Sequence, residues 1–530
     1  MSYLSSETEF SVLSQECIDN KKVRFTGAKS YAELCLGFSG TGIVIPGGGN
    51  KYGTNAYINI RYLIDVLKTK LPIELWYVGK EEYNETIFRD LKTRYGDQIN
   101  IIDTIVVEKQ YPYKGKLRWY PIKPFSIMHS RFETVLFLDA DCFLYQQPEK
   151  ILETNLFKEH EALFCTDIDL FYHKSGRLNN PERNYRVPKL GVWNQHTHKW
   201  IYDTKNPLWD ILKIEEDDLP EFESGLICLN KTKHIEALGF ALFLNENHDF
   251  IYNYICGDKD TFKLAWAKFG SKLNLIDDVR PGNRAIEGYL NGEILYQHRV
   301  SDAKFDSSKT LSEFPNNIPC HNKGEIKKIF KELSEIMGND LFDSSYRQAA
   351  PISQLMPGST KKMSQTYIDF VNNIILTQNI KTIIDIGCGD GLMLSHLDIP
   401  ETTNLTGIDI SSRAIEIIKN SFKDRKNFSF INIDAKEYTE YSADLVLIKD
   451  VFQHLPFIDI EKIIRAVEKK AKYIIIVNDT PTEYKDINRG FYRPVDITDI
   501  YEKDYTNYIE YGQQNQQNKC IVLYQTKEKN

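Results

Sequence analysis

Two carboxylates stand at i and i+2 where an apolar run ends, in Val135-Leu-Phe-Leu-Asp139-Ala-Asp141. The run has the length and composition of a buried strand. In open α/β sheets, ligands bind outside the carboxyl ends of the strands. Two acidic groups this close disfavour each other's ionisation unless a cation neutralises them. A hard divalent ion with oxygen ligands would do so, and would bridge to a substrate diphosphate. The same tripeptide also serves as a plain acidic turn.

A second constellation lies far downstream. Ile383-Ile-Asp385-Ile-Gly387-Cys-Gly389-Asp390-Gly391 follows a strand-like run, and its glycines let the backbone approach a ligand closely. Gly407-Ile-Asp409 ends the next strand-like run, where a carboxylate can hold ribose hydroxyls. Asn432-Ile-Asp434-Ala435 ends a third, and Lys449-Asp450-Val-Phe-Gln-His454-Leu a fourth. Dinucleotide-binding domains are the competing class, but they carry G-x-G-x-x-G, and here the spacing is G-x-G-x-G. His454 can act as a general base, since imidazole titrates near neutrality. It can equally be a residue that only shapes the pocket.

The elements that must position these groups alternate between strand and helix. A strand over GIVIPGG ends in a Gly-rich turn, Gly47–Gly49, followed by a helix over 56–68. Strands follow at 73–78, 99–107 and 134–138, with helices at 81–95 and 124–130 between them. A polar segment, 306–344, holds one helix and reads as a linker. Beyond it come helix 364–376, strand 381–386, strand 404–408, helix 413–422 and strand 428–433. Strand 443–448, helix 460–470 and strand 473–477 complete the pattern. This predicts an α/β chain with two doubly wound Rossmann-like domains and mostly parallel sheets. The expected boundaries are an N-terminal extension 1–40, a first domain 41–305, the linker, and a second domain 345–530.

With 66 basic against 74 acidic residues in 530, the net charge of −8 argues against a dedicated nucleic-acid binder. Nine dispersed cysteines without a C-x-x-C pair read as reduced thiols. No apolar run has the length of a membrane span, and MSYLSSETEF lacks the features of a signal peptide. The expected location is the cytoplasm, of a host if the chain is viral. The oligomeric state stays open.

Residues 41–305 resemble GT-A glycosyltransferases, specifically the fungal-type α-1,3-mannosyltransferase group and more distantly the glycogenin group. GIVIPGGGNKY, LPIELWYVG, Trp119-x-x-x-Lys123-Pro-Phe, FETVLFLDAD, Phe-Glu223-Ser-Gly225 and Gly-Asp258-Lys-Asp260-Thr-Phe carry the resemblance in order. It implies transfer from a GDP- or UDP-linked sugar to a glycan acceptor, with retention and with Mn²⁺ or Mg²⁺. Asp139 would touch ribose and metal, Asp141 the metal, and His298 would be a third ligand. Lys304 would hold the diphosphate; the related group has glycine where Ser301 stands. Gly48 and Lys123 are further candidates for nucleotide-sugar binding, against the readings of a plain turn and a helix-start surface residue. Asp258, Asp260 and Glu223 are candidate catalytic groups, although carboxylates at a helix start are also favoured by its dipole. Asp167 and Asp169 are candidates to line the pocket.

Residues 345–525 resemble class I S-adenosylmethionine-dependent methyltransferases. Asp385, Gly387 and Gly389 would surround the methionine end of the cofactor, Asp409 its ribose, and Asp434 with Ala435 its adenine, with Asp450 closing the array. Asn478-Asp479 and Asn488-Arg489-Gly-Phe-Tyr492-Arg493 read as an acceptor lid whose Arg and Tyr clamp a sugar, or as a solvated loop. Together the resemblances imply a bifunctional enzyme that transfers a sugar and O-methylates a sugar hydroxyl. The alternatives are a methyltransferase with a non-catalytic glycan- or nucleotide-sugar-binding N-terminal domain, and a methyltransferase acting on nucleic acid or protein.

Overall fold

The computed structural model describes residues 35–526 except 114, 118–119, 169–189, 191, 195–198, 202–204, 218, 283, 301–303, 306–320, 346–363, 488, 502 and 512–517. Most of the N-terminal extension, Trp119, Asp169, Ser301, Asn488 and much of the expected linker lie outside the described residues. The chain forms two compact units, whose described parts are 35–305 with 321–330, and 331–526.

The strands of the first unit are β1 (Thr41–Pro46), β2 (Ile73–Tyr77), β3 (Ile99–Asp103), β4 (Thr134–Leu138), β5 (Cys142–Leu144), β6 (Ala162–Thr166), β7 (Val192–Asn194), β8 (Lys199–Ile201), β9 (Phe222–Asn230), β10 (Asn274–Ile276), β11 (Val279–Gly282), β12 (Ala285–Leu290) and β13 (Glu293–Arg299). Its main sheet has seven strands in the order β10-β6-β9-β4-β1-β2-β3. β1, β2, β3 and β4 run parallel, while β9 lies antiparallel between β4 and β6. A small antiparallel sheet, β11-β12-β13-β5, adjoins the end of β4, and β7 pairs with β8.

The helices of this unit include α1 (Gly49–Arg61), α2 (Glu85–Tyr95), α3 (Ile122–His129), α4 (Ile235–Glu246) and α5 (Lys259–Phe269). α4 is apolar nearly all round, the pattern of a fully enclosed helix. Its Leu238, Phe240 and Leu244 pack with Phe125 of α3, Trp266 of α5 and Phe137 and Ile227 of the sheet.

Three expectations are corrected here. The helix after β1 starts at Gly49 rather than Ala56, so the Gly-rich turn is the helix start itself. The strand expected over 99–107 stops at Asp103, whose carboxylate accepts hydrogen bonds from Gly79 N and Ile105 N, both at 3.0 Å. That cap opens a short helix, Thr104–Gln110. The helix expected over 81–95 is two, because Asn84 caps α2 by accepting from Ile87 N at 3.1 Å.

A long helix, α6 (Lys323–Ser345), leads into the second unit. There follow α7 (Gln365–Thr377), β14 (Thr382–Ile386), β15 (Asn404–Asp409), α8 (Ser412–Ser421), β16 (Phe428–Asn432), β17 (Ala443–Lys449), α9 (Phe457–Val467), β18 (Ala471–Thr480), β19 (Asn507–Tyr511) and β20 (Asn518–Gln525). The sheet order is β16-β15-β14-β17-β18-β20-β19. The first five strands are parallel; β20 runs antiparallel to both neighbours. Successive strand residues face opposite sides, so Ile383, Leu445, Leu447 and Ile475 pack under α7 and α8, while Ile384, Val446, Ile448 and Ile474 pack under α9. Order reverses between β15-β14 and β14-β17, which is where an open α/β sheet binds ligands.

Candidate functional site

In the first unit the site grows from one turn. Asp139 follows β4 and Asp141 precedes β5. The antiparallel pairing of β5 with β13 sets His298 opposite Cys142, one residue from Asp141. His298 Nε2 lies 3.3 Å from Asp141 Oδ1 and 3.6 Å from Asp139 Oδ2. The three side chains offer ligand atoms within 4.8 Å of one another. The two carboxylate oxygens suit Mn²⁺ or Mg²⁺, and the imidazole nitrogen favours Mn²⁺, the transition ion of the two.

Two lysines and a further aspartate surround this turn. Lys123 Nζ, from α3, donates to Asp139 Oδ2 at 2.7 Å and to Ser224 Oγ at 3.0 Å, and stands 3.5 Å from Asp258 Oδ1. Lys304 pairs with Asp141 and stands over the Tyr52 ring. Burial pushes the Asp139 carboxyl up to about 6, against the pull of Lys123 and His298. Asp141 is buried too, yet its hydrogen bond to His298 and the charges of His298 and Lys304 hold it well below the usual range. Burial disfavours charge on His298, but Glu223 and Asp141 outweigh it and raise the imidazole strongly.

Glu223, expected among the catalytic groups, has both oxygens engaged. Oε1 meets His298 Nδ1 at 2.8 Å, and Oε2 accepts from Gly225 N at 2.7 Å. This is the placement of a carboxylate that orients a metal-binding histidine and fixes which ring nitrogen carries hydrogen. Gly225 is required there: a Cβ would stand 2.7 Å from His298 Nδ1 and 2.9 Å from Glu223 Oε2.

Asp258 and Asp260 part company at the start of α5. Asp258 faces Lys123 and makes no capping hydrogen bond to the helix. Asp260 is fully buried beside Lys259, 3.8 Å away, and its carboxylate makes no hydrogen bond among the described residues. Lys259 also pairs with Asp167 and with Glu221 at 2.8 Å. Burial raises Asp260 strongly and Asp167 to about 6. Gly48 immediately precedes α1, packed so that a Cβ would strike Glu82.

Sequence reading missed the residues that hold this site in place. Asn59 of α1, fully buried, donates to Cys142 O at 2.8 Å behind the acidic turn. Asn55, one turn earlier, donates to Phe305 O at 2.8 Å and accepts from Phe305 N at 3.1 Å, fixing the neighbour of Lys304. The available signal was two asparagines at i and i+4 within an otherwise apolar helix face, Asn55-Ala-Tyr-Ile-Asn59.

In the second unit Gly387, Gly389 and Gly391 all take positive φ (73°, 55° and 83°), which explains their residue type. A Cβ on Gly387 would stand 2.4 Å from Val451 Cγ2, and one on Gly391 2.6 Å from Ile418 Cγ1. Asp409 accepts from Gly389 N at 2.9 Å and Ser411 N at 2.8 Å, tying the ends of β14 and β15 together. Asp385 is buried at the end of β14; desolvation, reinforced by Asp409, raises it to about 7 despite Lys449.

Asp434 accepts from Lys436 N at 3.0 Å and pairs with Arg489; Ala435 starts the turn that follows. Asp450 is held between Lys449 and Lys519, and Lys519 reaches Asp479 at 2.7 Å. Two expected clamps are corrected. Arg489 is buried against Asp434 and Asp459, and Arg493 is buried over the Phe457 ring, donating to Leu455 O at 2.7 Å. Both guanidiniums hold the loop; Phe491 and Tyr492 are its exposed side chains, and Tyr492 donates to Asp479 Oδ2 at 2.9 Å. His454 Nδ1 lies 3.0 Å from Phe491 O. A carbonyl only accepts, so Nδ1 carries the hydrogen and neutral Nε2 is the basic nitrogen. Burial lowers this imidazole below its ordinary value.

Comparison with known proteins agrees with both halves. The family profile described as "Mannosyltransferase putative" matches residues 40–291, and that described as "Methyltransferase domain" matches 384–472. Alpha-1,2-mannosyltransferase MNN2 of Candida albicans is 24% identical over 253 residues, covering 42% of this chain and 40% of the relative. Alpha-1,2-mannosyltransferase MNN2 of Saccharomyces cerevisiae is 26% identical over 289 residues, covering 49% and 46%. The match thus spans less than half the length of these relatives. Among solved structures, the N-methyltransferase NodS of Bradyrhizobium japonicum with S-adenosyl-L-homocysteine aligns at 14% identity and TM-score 0.29, over 36% of this chain and 99% of that one. Among the described residues, no helix is long and apolar enough to cross a membrane. The chain carries a mannosyltransferase-family domain over residues 40–291 and a methyltransferase domain over residues 384–472.

Proposed function

We propose that the chain is a bifunctional glycan-modifying enzyme. Its first domain transfers a mannosyl or related residue from a GDP- or UDP-linked sugar to a glycan acceptor, in a metal-dependent step. Its second domain moves a methyl group from S-adenosylmethionine to a sugar hydroxyl. The convergence of Asp139, Asp141 and His298 carries the reading of the first domain, and the mannosyl relatives supply its substrate class.

Asp139, Asp141 and His298 would hold Mn²⁺ or Mg²⁺, which supplies charge stabilisation for the departing diphosphate. Lys304 and Lys123 add fixed positive charge on that leaving group. His298 keeps its Nδ1 hydrogen on Glu223 and turns Nε2 toward the two aspartates. Asp258 stands beside Lys123, 3.5 Å from its ammonium, and is the carboxylate placed to meet the transferred sugar. In the second domain the positive-φ glycines let the backbone close on the cofactor, Asp385 takes its ammonium, and Asp409 its ribose. His454 Nε2 accepts the proton of the acceptor hydroxyl as the methyl group is transferred.

The test incubates the purified chain with mannan oligosaccharides, a panel of nucleotide sugars, Mn²⁺ and S-adenosylmethionine. Release of nucleoside diphosphate and methylation of the glycan are followed separately. Methylation without any sugar transfer would leave the first domain as a binding module. Neither product would end the proposal.

A further inference from the structure

We propose that the C-terminal part of α6 belongs to the methyl-transfer site, with Phe342 as a positioning residue for His454. The proposal rests on the reading of His454 as the base. Glu335, Gly338 and Phe342 fall at i, i+3 and i+7, one face of the helix. That face lies on the segment that fixes His454. A Cβ at Gly338 would stand 2.3 Å from Arg489 O, so only glycine lets the helix come this close to the loop. Glu335 approaches Lys436 at 3.6 Å. Phe342 meets the His454 ring edge-to-face, with centroids 6.1 Å apart and planes at 88°. Tyr492 stands 5.9 Å from the same imidazole at 53°.

The loop is bound to the turn that carries the histidine. Gly490 N donates to His454 O and Arg493 N to Gln453 O, both at 2.9 Å. His454 is therefore held by the loop through Nδ1, by Tyr492 at one ring contact and by Phe342 at another. These contacts hold the ring in the orientation that leaves Nε2 basic. A base must stand within hydrogen-bond reach of the proton it takes, and small misplacements are costly. The charged groups acting on the ring are Asp450, Asp479 and Lys519, all on strand ends; Phe342 contributes burial and no charge.

The variants are Phe342→Ala, Phe342→Tyr, Gly338→Ala and His454→Asn in the full chain. Histidines labelled at Cε1 report the His454 titration by NMR, and mannan oligosaccharides with S-adenosylmethionine report methyl transfer. In Phe342→Ala, water reaches the ring, so its titration midpoint and the acid limb of kcat/KM both move to higher pH. Turnover falls about tenfold or more, the Kd of S-adenosylmethionine is unchanged, and Phe342→Tyr restores all three readouts. Gly338→Ala, which pushes the loop instead of the ring, lowers turnover likewise and serves should Phe342→Ala not fold. A folded Phe342→Ala with the wild-type midpoint overturns the role of Phe342, whatever the acceptor. Wild-type methyl transfer in His454→Asn overturns the base reading instead.

Discussion

The two sites are built on opposite plans. In the second unit the candidate cofactor groups sit at consecutive strand ends, each within a few residues of its own strand: Asp385 on β14, Asp409 on β15, Asp434 after β16. In the first unit the site joins groups from distant stretches, the turn at 139–141, Glu223 at the head of β9, His298 on β13 and Lys304 beyond it. It exists only because an antiparallel sheet returns β13 to β5. A site of local motifs tolerates damage to one element. A site assembled by topology concentrates its dependence on the few residues that hold the segments together.

The largest effect expected from this contrast is at Asp141. Asp141→Asn removes one proposed metal ligand and leaves Lys304 and His298 facing a neutral amide. Losing several kcal/mol of charge stabilisation should lower sugar transfer on the order of a thousandfold. Methyl transfer by the same preparation should stay at wild-type rate. Parallel nucleotide-release and methyl-transfer assays check this, and a matching loss in both would deny that the sites are separate.

Glu223→Gln sharpens the comparison one step further out. It keeps the shape but removes the charge that orients His298, so Mn²⁺ affinity should fall by about 10–100-fold. Isothermal titration with Mn²⁺ measures it. Unchanged affinity would mean that His298 needs no partner and that the 2.8 Å contact is incidental.

How much of this was legible follows the same division. Asp385, Gly387, Gly389 and Asp409 could be read from one strand–turn unit and the next because local chain geometry alone places them. The acidic turn was visible for the same reason, as a strand running into two carboxylates. The role of Glu223 was not, because β9 runs antiparallel to β4 and no periodicity reports strand direction. Nor could the sequence separate Asp258 from Asp260: both start α5, and only packing turns one to Lys123 and the other to Lys259. Arg489 and Arg493 looked like ligand clamps because arginine in a loop after a strand resembles a binding group; their burial is a tertiary fact. Asn55 and Asn59 read as helix residues and proved to be the struts of the site.

Those struts give a third expectation. Asn59→Ala leaves Cys142 O buried without its donor, a loss worth about 1–3 kcal/mol. Thermal unfolding should register it in the first unit's transition, together with a weaker Mn²⁺ response, because the freed turn carries both aspartates. A stability loss with an unchanged metal response would show that the turn is rigid without α1.

The last expectation lies in the second unit and depends on pH. Burial, with Asp409 nearby, raises the Asp385 carboxyl to about 7, against an ordinary value near 3.9 in the unfolded chain. Between those values the folded protein binds more protons than the unfolded one. Stability of the cofactor-free chain therefore falls as pH rises through this window and levels off above about 7. Cofactor binding runs the other way. The ammonium of S-adenosylmethionine is met best by an ionised Asp385, so affinity should weaken as pH drops below about 7, by at most about tenfold per unit. Asp385→Asn should flatten both slopes, since it removes the proton that links them. Opposite slopes in thermal shift and in cofactor titration, both lost in the variant, are the signature of one carboxylate serving the two equilibria. Slopes of the same sign would place the cofactor's ammonium elsewhere.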